Sequence, residues 1–166
     1  MTHSFEEYVA ARWSRLVRSA VLMGADRHAA EDLVQTTLAK CFVAWPRVSR
    51  AHDPDAYVHR VLINALTDSR RRRWWGETPT EVLPEGGLPD AADEVVRDDA
   101  LRSALLRLTL EQRQVLVLRY YADLTEAQIA SALGVAVGTV KSRAARGLAV
   151  LEADPSLGEL ANGGGR

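Results

Sequence analysis

Cysteine is nearly absent: Cys41 is the only one in 166 residues, so no internal disulfide can hold this chain together. Lysine is almost as scarce, with Lys40 and Lys141 standing beside 19 arginines. A GC-rich genome explains that skew as readily as a need for bidentate phosphate contacts. Long apolar runs are missing too. Runs of apolar residues and glycine, such as Ala20 to Ala25, are far short of the roughly 20 residues a membrane helix needs. The start, MTHSFEEYVAARW, has no basic segment followed by an apolar stretch, which argues against a secretory signal. These absences lead to the expectation of a cytoplasmic protein with no membrane insertion. What is present, 47% hydrophobic and 26% charged residues, suits one ordinary globular domain or two small ones.

The formal charge of −1 would suggest little affinity for nucleic acid if it were spread evenly. It is concentrated instead. Residues 1–75 carry 12 basic and 8 acidic side chains, residues 76–100 carry 1 and 8, and residues 101–166 carry 8 and 6. Two basic blocks flank an acidic one.

Hydrophobic periodicity divides the first block into three helices. Ser4 with Glu7 forms a capping box, and Phe5, Val9, Trp13, Leu16 and Ala20 then share one face as far as Gly24. Asp26 caps a second helix with the stripe Ala30, Val34, Thr37, Cys41 and Trp45, which Pro46 is expected to stop. Asp53-Pro54 opens a third, with Tyr57, Val58, Val61, Leu62, Ala65 and Leu66 inward. From Gly76 to Asp99, three prolines and three glycines stand among eight acids. This stretch reads as a flexible acidic linker, so the flanking units need not touch. Beyond it, Leu101, Leu105 and Leu108 suggest a short helix, and Thr109 with Gln112 and Thr125 with Gln128 give two more capping boxes. The fold class expected is all-α: two small helical domains, 1–75 and 100–153, an acidic linker 76–99 and a fraying tail 154–166.

The segment TEAQIASALGVAVGTVKSRAARGLAVLE carries the sharpest local signal. A helix-turn-helix needs a small residue where its helices cross, a residue tolerant of positive φ in the turn, and a β-branched residue packing the second helix back. Ala130, Gly134 and Val140 meet these needs in order. With Val140, Ala144, Leu148 and Leu151 inward, helical geometry turns Thr139, Ser142, Arg143 and Arg146 outward, with Lys141 on the flank. That face suits a major groove, although a solvated basic face on a bundle helix would share the pattern. On the third helix Arg60, Asn64, Thr67 and Arg71 repeat away from the core and lead into Arg70 to Arg73 and then Trp74-Trp75. Guanidiniums neutralise phosphates and flat aromatics stack on unpaired bases. A basic helix end complementing its own dipole is the plainer alternative. On the second helix Asp32, Gln35, Thr36 and Lys40 lie beside Leu33, Leu38 and Phe42, a polar row bordered by apolar residues that a partner helix could pack against.

The wording VGTVKSRAARGLAVL, preceded by LTLEQRQVLVLRYYADLTEAQIASALG, resembles region 4 of bacterial RNA polymerase sigma factors. DRHAAEDLVQTTLAKCFVAW resembles region 2.2, and DPDAYVHRVLINALTDSRRRRWW resembles regions 2.3 to 2.4. Two such regions with a short linker and nothing else is the layout of the extracytoplasmic-function type, and the resemblance covers about residues 4–152. It implies a subunit that gives core polymerase its promoters, touching the polymerase at its clamp and flap. Asp32, Leu33, Gln35, Thr36, Lys40 and Phe42 would then dock on the clamp. Ser49, Arg50 and His52, in the loop from Pro46 to Asp53, would join Arg60, Asn64, Arg70, Arg71, Arg72, Arg73 and Trp74 on the minus-10 element, duplex and single-stranded. Gly138, Thr139, Lys141, Ser142, Arg143 and Arg146 would read duplex DNA at minus-35. Anti-sigma factors are common partners in the family, though no residue here identifies one. One departure stands out: Ala136 occupies a position where the family often has a capping side chain, so the recognition helix is expected to start loosely or a residue late.

Enzyme chemistry finds little support. His28 with Asp32, and Asp55 with His59, have the spacing of a metal pair, but no further ligand follows at a usual interval. No nucleophile with its base and no phosphate-cradling glycine loop is present, so neither metal nor other cofactor is expected. A freestanding helix-turn-helix regulator is the competing reading. It would need a dimer interface or ligand pocket, and it has no use for the clamp-facing row or the basic, aromatic third helix.

Overall fold

A computed structural model describes residues 4–74, 92–155 and 157 of the chain, with side chains at 4–72, 99–155 and 157. Its described elements are helical throughout. α1 runs Phe5–Leu22, α2 Arg27–Val43, α3 Trp45–Val48, α4 Pro54–Trp74, α5 Ala92–Leu106, α6 Leu110–Leu116, α7 Glu126–Leu133 and α8 Val137–Glu152. A π-helical turn, Val117–Tyr121, prolongs α6.

The caps read from sequence are formed. Ser4, Thr109 and Thr125 each accept from the backbone three residues on, and Glu7, Gln112 and Gln128 reach back to complete the boxes. Asp26 accepts from the Ala29 amide at 2.8 Å and Asp53 from that of Ala56 at 3.2 Å. Gly134 closes α7 in the left-handed conformation, φ 68°. A β-carbon there would be strained in any other residue.

α1, α2 and α4 bury the expected stripes, with Leu16, Ala20, Ala30, Val34, Thr37, Cys41, Val58 and Leu62 all but inaccessible. Asp55 ties α4 to α1 by accepting from the Tyr8 hydroxyl at 2.8 Å and from Arg12 at 3.2 Å. In the second unit α8 lies close against α6: a β-carbon at Gly147 would fall 2.9 Å from Leu116 Cδ1.

Four expectations need correction. Pro46 does not stop α2, which ends at Val43; it sits in the first turn of α3, where a missing amide proton costs nothing. The stretch read as a loop from Pro46 therefore begins inside a helical turn. α5 starts at Ala92, earlier than the short helix expected around Leu101. α8 begins at Val137, directly after Ala136, so the missing side-chain cap has not displaced it. Finally, the two units touch: α4 packs on α7, and α1 packs on α5 and on the π-helical turn, so that one continuous apolar cluster includes residues of both. Linker residues 76–91, and the tail at 156 and 158–166, lie outside the described residues.

Candidate nucleic-acid and partner interfaces

α8 presents the basic face that its periodicity implies. Gly138, Lys141, Ser142 and Arg146 are exposed, while Thr139 and Arg143, expected to point fully outward, are half-buried. Val140 is buried, and Ala144, Leu148 and Leu151 pack on the core. Ala136 has the extended conformation of an N-cap, φ −72° and ψ 152°, but contributes no side-chain hydrogen bond. The Lys141 ammonium stands 3.7 Å from Glu126, as does the Arg119 guanidinium. The carboxylate of α7's first turn therefore restrains a cation beside the recognition helix.

α4 carries its polar row on the side away from the core: Arg60, Asn64, Thr67, Arg70, Arg71 and Arg72 are exposed. Arg73 and Trp74 complete the last turn of α4, and their side chains, like all of Trp75, lie outside the described residues. Arg50 and His52 are exposed between α3 and α4, whereas Ser49 is half-buried beside the Pro46 carbonyl, 3.4 Å away. His59, one turn inside α4, is buried and bonds through Nδ1 to the Asp55 carbonyl at 2.7 Å. Burial pushes its pKa below the ordinary value. That ring is a packing group, not half of a metal pair. His28 and Asp32 are 3.9 Å apart on open surface. No cluster of three or more metal-ligating side chains occurs among the described residues. The Cys41 thiol is buried and pushed up to about 11 by desolvation, which leaves it unreactive.

On α2, Asp32, Gln35, Thr36, Lys40 and Phe42 are exposed and Leu33 is half-buried. The structure adds what the α2 pattern did not reveal: α1 forms the other wall of this surface. Phe5, Val9, Ala10 and Trp13 from α1 and Leu38, Ala39 and Phe42 from α2 line an open apolar groove of about 650 Å³. Phe42 is 58% exposed and packs its ring against Phe5 at 5.0 Å, while the adjacent Val43 is 83% exposed. Exposed apolar surface of this kind marks protein contact. The aromatic residues at 5, 13 and 42 were the available signal, but periodicity assigned Phe5 and Trp13 to the core.

Two small helical units, one with a basic helix and an open apolar groove and the other with a basic helix-turn-helix, suit a protein that reads DNA and works with a partner. Comparison with known proteins makes the class specific. The Sigma-70 region 2 family matches residues 9–76 and the Sigma-70, region 4 family matches residues 98–151. The RNA polymerase sigma-E factor of Streptomyces coelicolor is 41% identical over 147 residues, covering 89% of this chain and 83% of that one. The ECF RNA polymerase sigma factor SigL of Mycobacterium tuberculosis is 35% identical over 147 residues, covering 84% and 79%. Among solved structures, the sigma factor RpoE of Bartonella quintana, in complex with the anti-sigma factor NepR, shares the fold with a TM-score of 0.71 at 23% identity, over 89% of this chain and 94% of that one. CnrH, in complex with the cytosolic domain of CnrY, superposes with a TM-score of 0.64 at 25% identity, over 90% and 85%. The chain belongs to the sigma-70 family, as an RNA polymerase sigma factor of the extracytoplasmic-function type. It directs core polymerase to promoters for the initiation of transcription. Among the described residues no helix is long and apolar enough to cross a membrane.

Proposed function

We propose that the promoter is divided between the two units. Residues 1–75 dock on the polymerase clamp and open and capture the minus-10 element. Residues 100–153 read duplex DNA at minus-35 beside the flap, and 76–99 connect them. The observation that carries this reading is the presence of two separate exposed basic faces, Arg60, Asn64 and Arg71 on α4 and Lys141, Ser142 and Arg146 on α8, each rooted in its own unit. Arg50 and His52, exposed ahead of α4, stand where a flipped base would be captured, and Arg70, Arg72, Arg73 and Trp74 continue the basic run. Gly138, at the first turn of α8, lets the backbone approach a phosphate. Asp32, Gln35, Thr36, Lys40, Leu33 and Phe42 form the clamp contact.

The subunit carries out no chemistry of its own; the polymerase does. It acts in the cytoplasm, and an anti-sigma factor of the kind bound to the two structural relatives is a further partner. Reconstitution with core polymerase is the test. The pair should start transcription from specific promoters, core alone should not, and α4 variants should lose strand opening while α8 variants lose duplex recognition. Promoter opening that survived removal of the α4 arginines would defeat the division.

A further inference from the structure

The cations around the helix-turn-helix are not all held alike. Among the described residues Arg143 and Arg146 of α8 make no ion pair, whereas Lys141 and Arg119 are both held by one carboxylate, that of Glu126. The Arg119 guanidinium stands 3.7 Å from Oε1 and the Lys141 ammonium 3.7 Å from Oε2, so each oxygen faces a different cation. One cation comes from the π-helical turn and the other from the second turn of α8.

The backbones that carry this triad are fixed. Glu126 opens α7 directly after Thr125, whose capping box with Gln128 is closed by bonds of 2.6 and 3.1 Å. Gln128 in turn bonds Asp53, the N-cap of α4. Lys141 follows Val140, which is 1% exposed, and Arg119 follows the fully buried Leu118. The carboxylate also lies in the first turn of α7, where the helix dipole favours a negative charge. Its side chain is 31% exposed against 64% for Lys141, so the better-anchored carboxylate decides where the ammonium rests.

That placement bears on discrimination between sequences. Phosphates are the same in every duplex, so each unrestrained cation near the DNA face strengthens binding to all of them alike, with a salt slope of about 0.9 for each phosphate neutralised. Selection depends on the ratio of specific to non-specific binding, and it gains when a contact open to wrong partners is withheld. A cation paired with Glu126 must leave the carboxylate to reach a phosphate. An exposed pair is weak enough for a well-placed phosphate to displace it. Arg143 and Arg146, without such a partner, can meet DNA directly.

We propose that Glu126 is a specificity-determining residue: its carboxylate holds Arg119 and Lys141 back from the phosphates of non-cognate duplexes and yields them only in the register where α8 meets its own element. Glu126 touches no DNA in this scheme; it is a positioning residue that acts through two cations. The proposal rests on the reading of α8 as the minus-35 contact, which Arg146→Ala tests separately.

Holoenzyme formed from the full chain and core polymerase is measured by fluorescence anisotropy against two duplexes of equal length. One is selected by the wild-type holoenzyme from a randomised pool, and the other has the same bases shuffled. Glu126→Gln, checked for helicity by circular dichroism, should bind the shuffled duplex about threefold to tenfold more tightly at low salt, the size expected of two exposed pairs. Its salt slope should steepen by about one to two, and the selected duplex should gain less. Glu126→Asp keeps the charge but withdraws it from both cations, and should shift binding the same way. Once Arg119→Gln and Lys141→Gln are in place, Glu126→Gln should add nothing.

Unchanged affinity of folded Glu126→Gln for the shuffled duplex, beside a weakened Arg146→Ala, would overturn the restraint and leave the minus-35 reading standing. An equal gain on both duplexes would overturn it too. So would the same gain in the Arg119→Gln, Lys141→Gln background, which would make the carboxylate a general repulsive charge. A neutral Arg146→Ala would refute the minus-35 reading, and the restraint with it.

Discussion

α4 and α8 both turn a row of polar and basic residues outward, yet they are held in different ways. α4 is N-capped by Asp53 and is pinned to α1 near its start, where Asp55 accepts from both Tyr8 and Arg12. It buries a run of residues that includes Val58, His59, Leu62, Ile63, Ala65 and Leu66. α8 has no side-chain cap and buries only Val140 and Gly147 completely. If α4 separates strands, as proposed, it does so from a mounting built into the core. If α8 settles into a preformed groove, as proposed, the DNA would complete the environment of a helix with fewer buried residues and no side-chain cap.

The comparison gives predictions of graded size. Asp32→Arg should abolish association with core polymerase while leaving the helices intact, because reversing an exposed helical charge costs little stability but is not tolerated within a charged interface. Pull-down with circular dichroism checks both halves, and normal binding by the folded variant would move the clamp contact off α2. Next, Arg146→Ala and Arg143→Ala should weaken promoter use without affecting polymerase binding. A base contact is worth about 1–3 kcal/mol with relaxed specificity at one position, whereas a lost phosphate contact lowers the salt slope by about one. Arg146, the more exposed of the two, should be the one with the salt signature, and neutral behaviour in both would remove α8 from the minus-35 contact.

A smaller effect should come from Ala136→Ser, since the backbone already has cap geometry and lacks only an acceptor. It should stabilise the second unit by about 1 kcal/mol, read as a rise in thermal midpoint. No gain would mean that the start of α8 is satisfied without a cap. The least effect is in pH. Burial lowers the pKa of His59, and the ring faces Asp55, Asp53 and Arg12, with Arg15 and Asp123 in the same small cavity. The unfolded chain therefore binds a proton at about pH 6.5 that the folded chain refuses. Stability should be unaffected above that pH and should fall as the pH drops from it toward the lowered folded value. His59→Gln should flatten this slope in denaturant titrations across the range, and an unchanged slope would place its origin in other groups.

The elements that were legible in the sequence share a short range. Each capping box joins residues three apart, Gly134 closes its own helix, and the inward stripes recur every three or four residues. The row on α2 was also visible, because Asp32, Gln35, Thr36 and Lys40 lie on one helical face. What escaped was the second wall of that surface. Phe5 and Trp13 read as core because periodicity identifies the apolar face of a helix but not whether a neighbour fully covers it. Pro46 was misread for a related reason: the same ring that ends one helix suits the first turn of the next, and only the chain's path after Val43 decides between them.

By itself the sequence determined the all-α class, the starts of the helices with a side-chain cap, the helix-turn-helix and the two basic faces, since these follow from interactions among near neighbours that any surrounding fold would preserve. Tertiary structure alone decided that the two units meet. Arg113 and Met23 are 90 residues apart, and Arg102 and Gly24 are 78 apart. No local pattern specifies such a pairing; it arises where the carboxyl end of one helix, left uncapped by its own segment, meets cations that a distant segment brings within hydrogen-bonding distance.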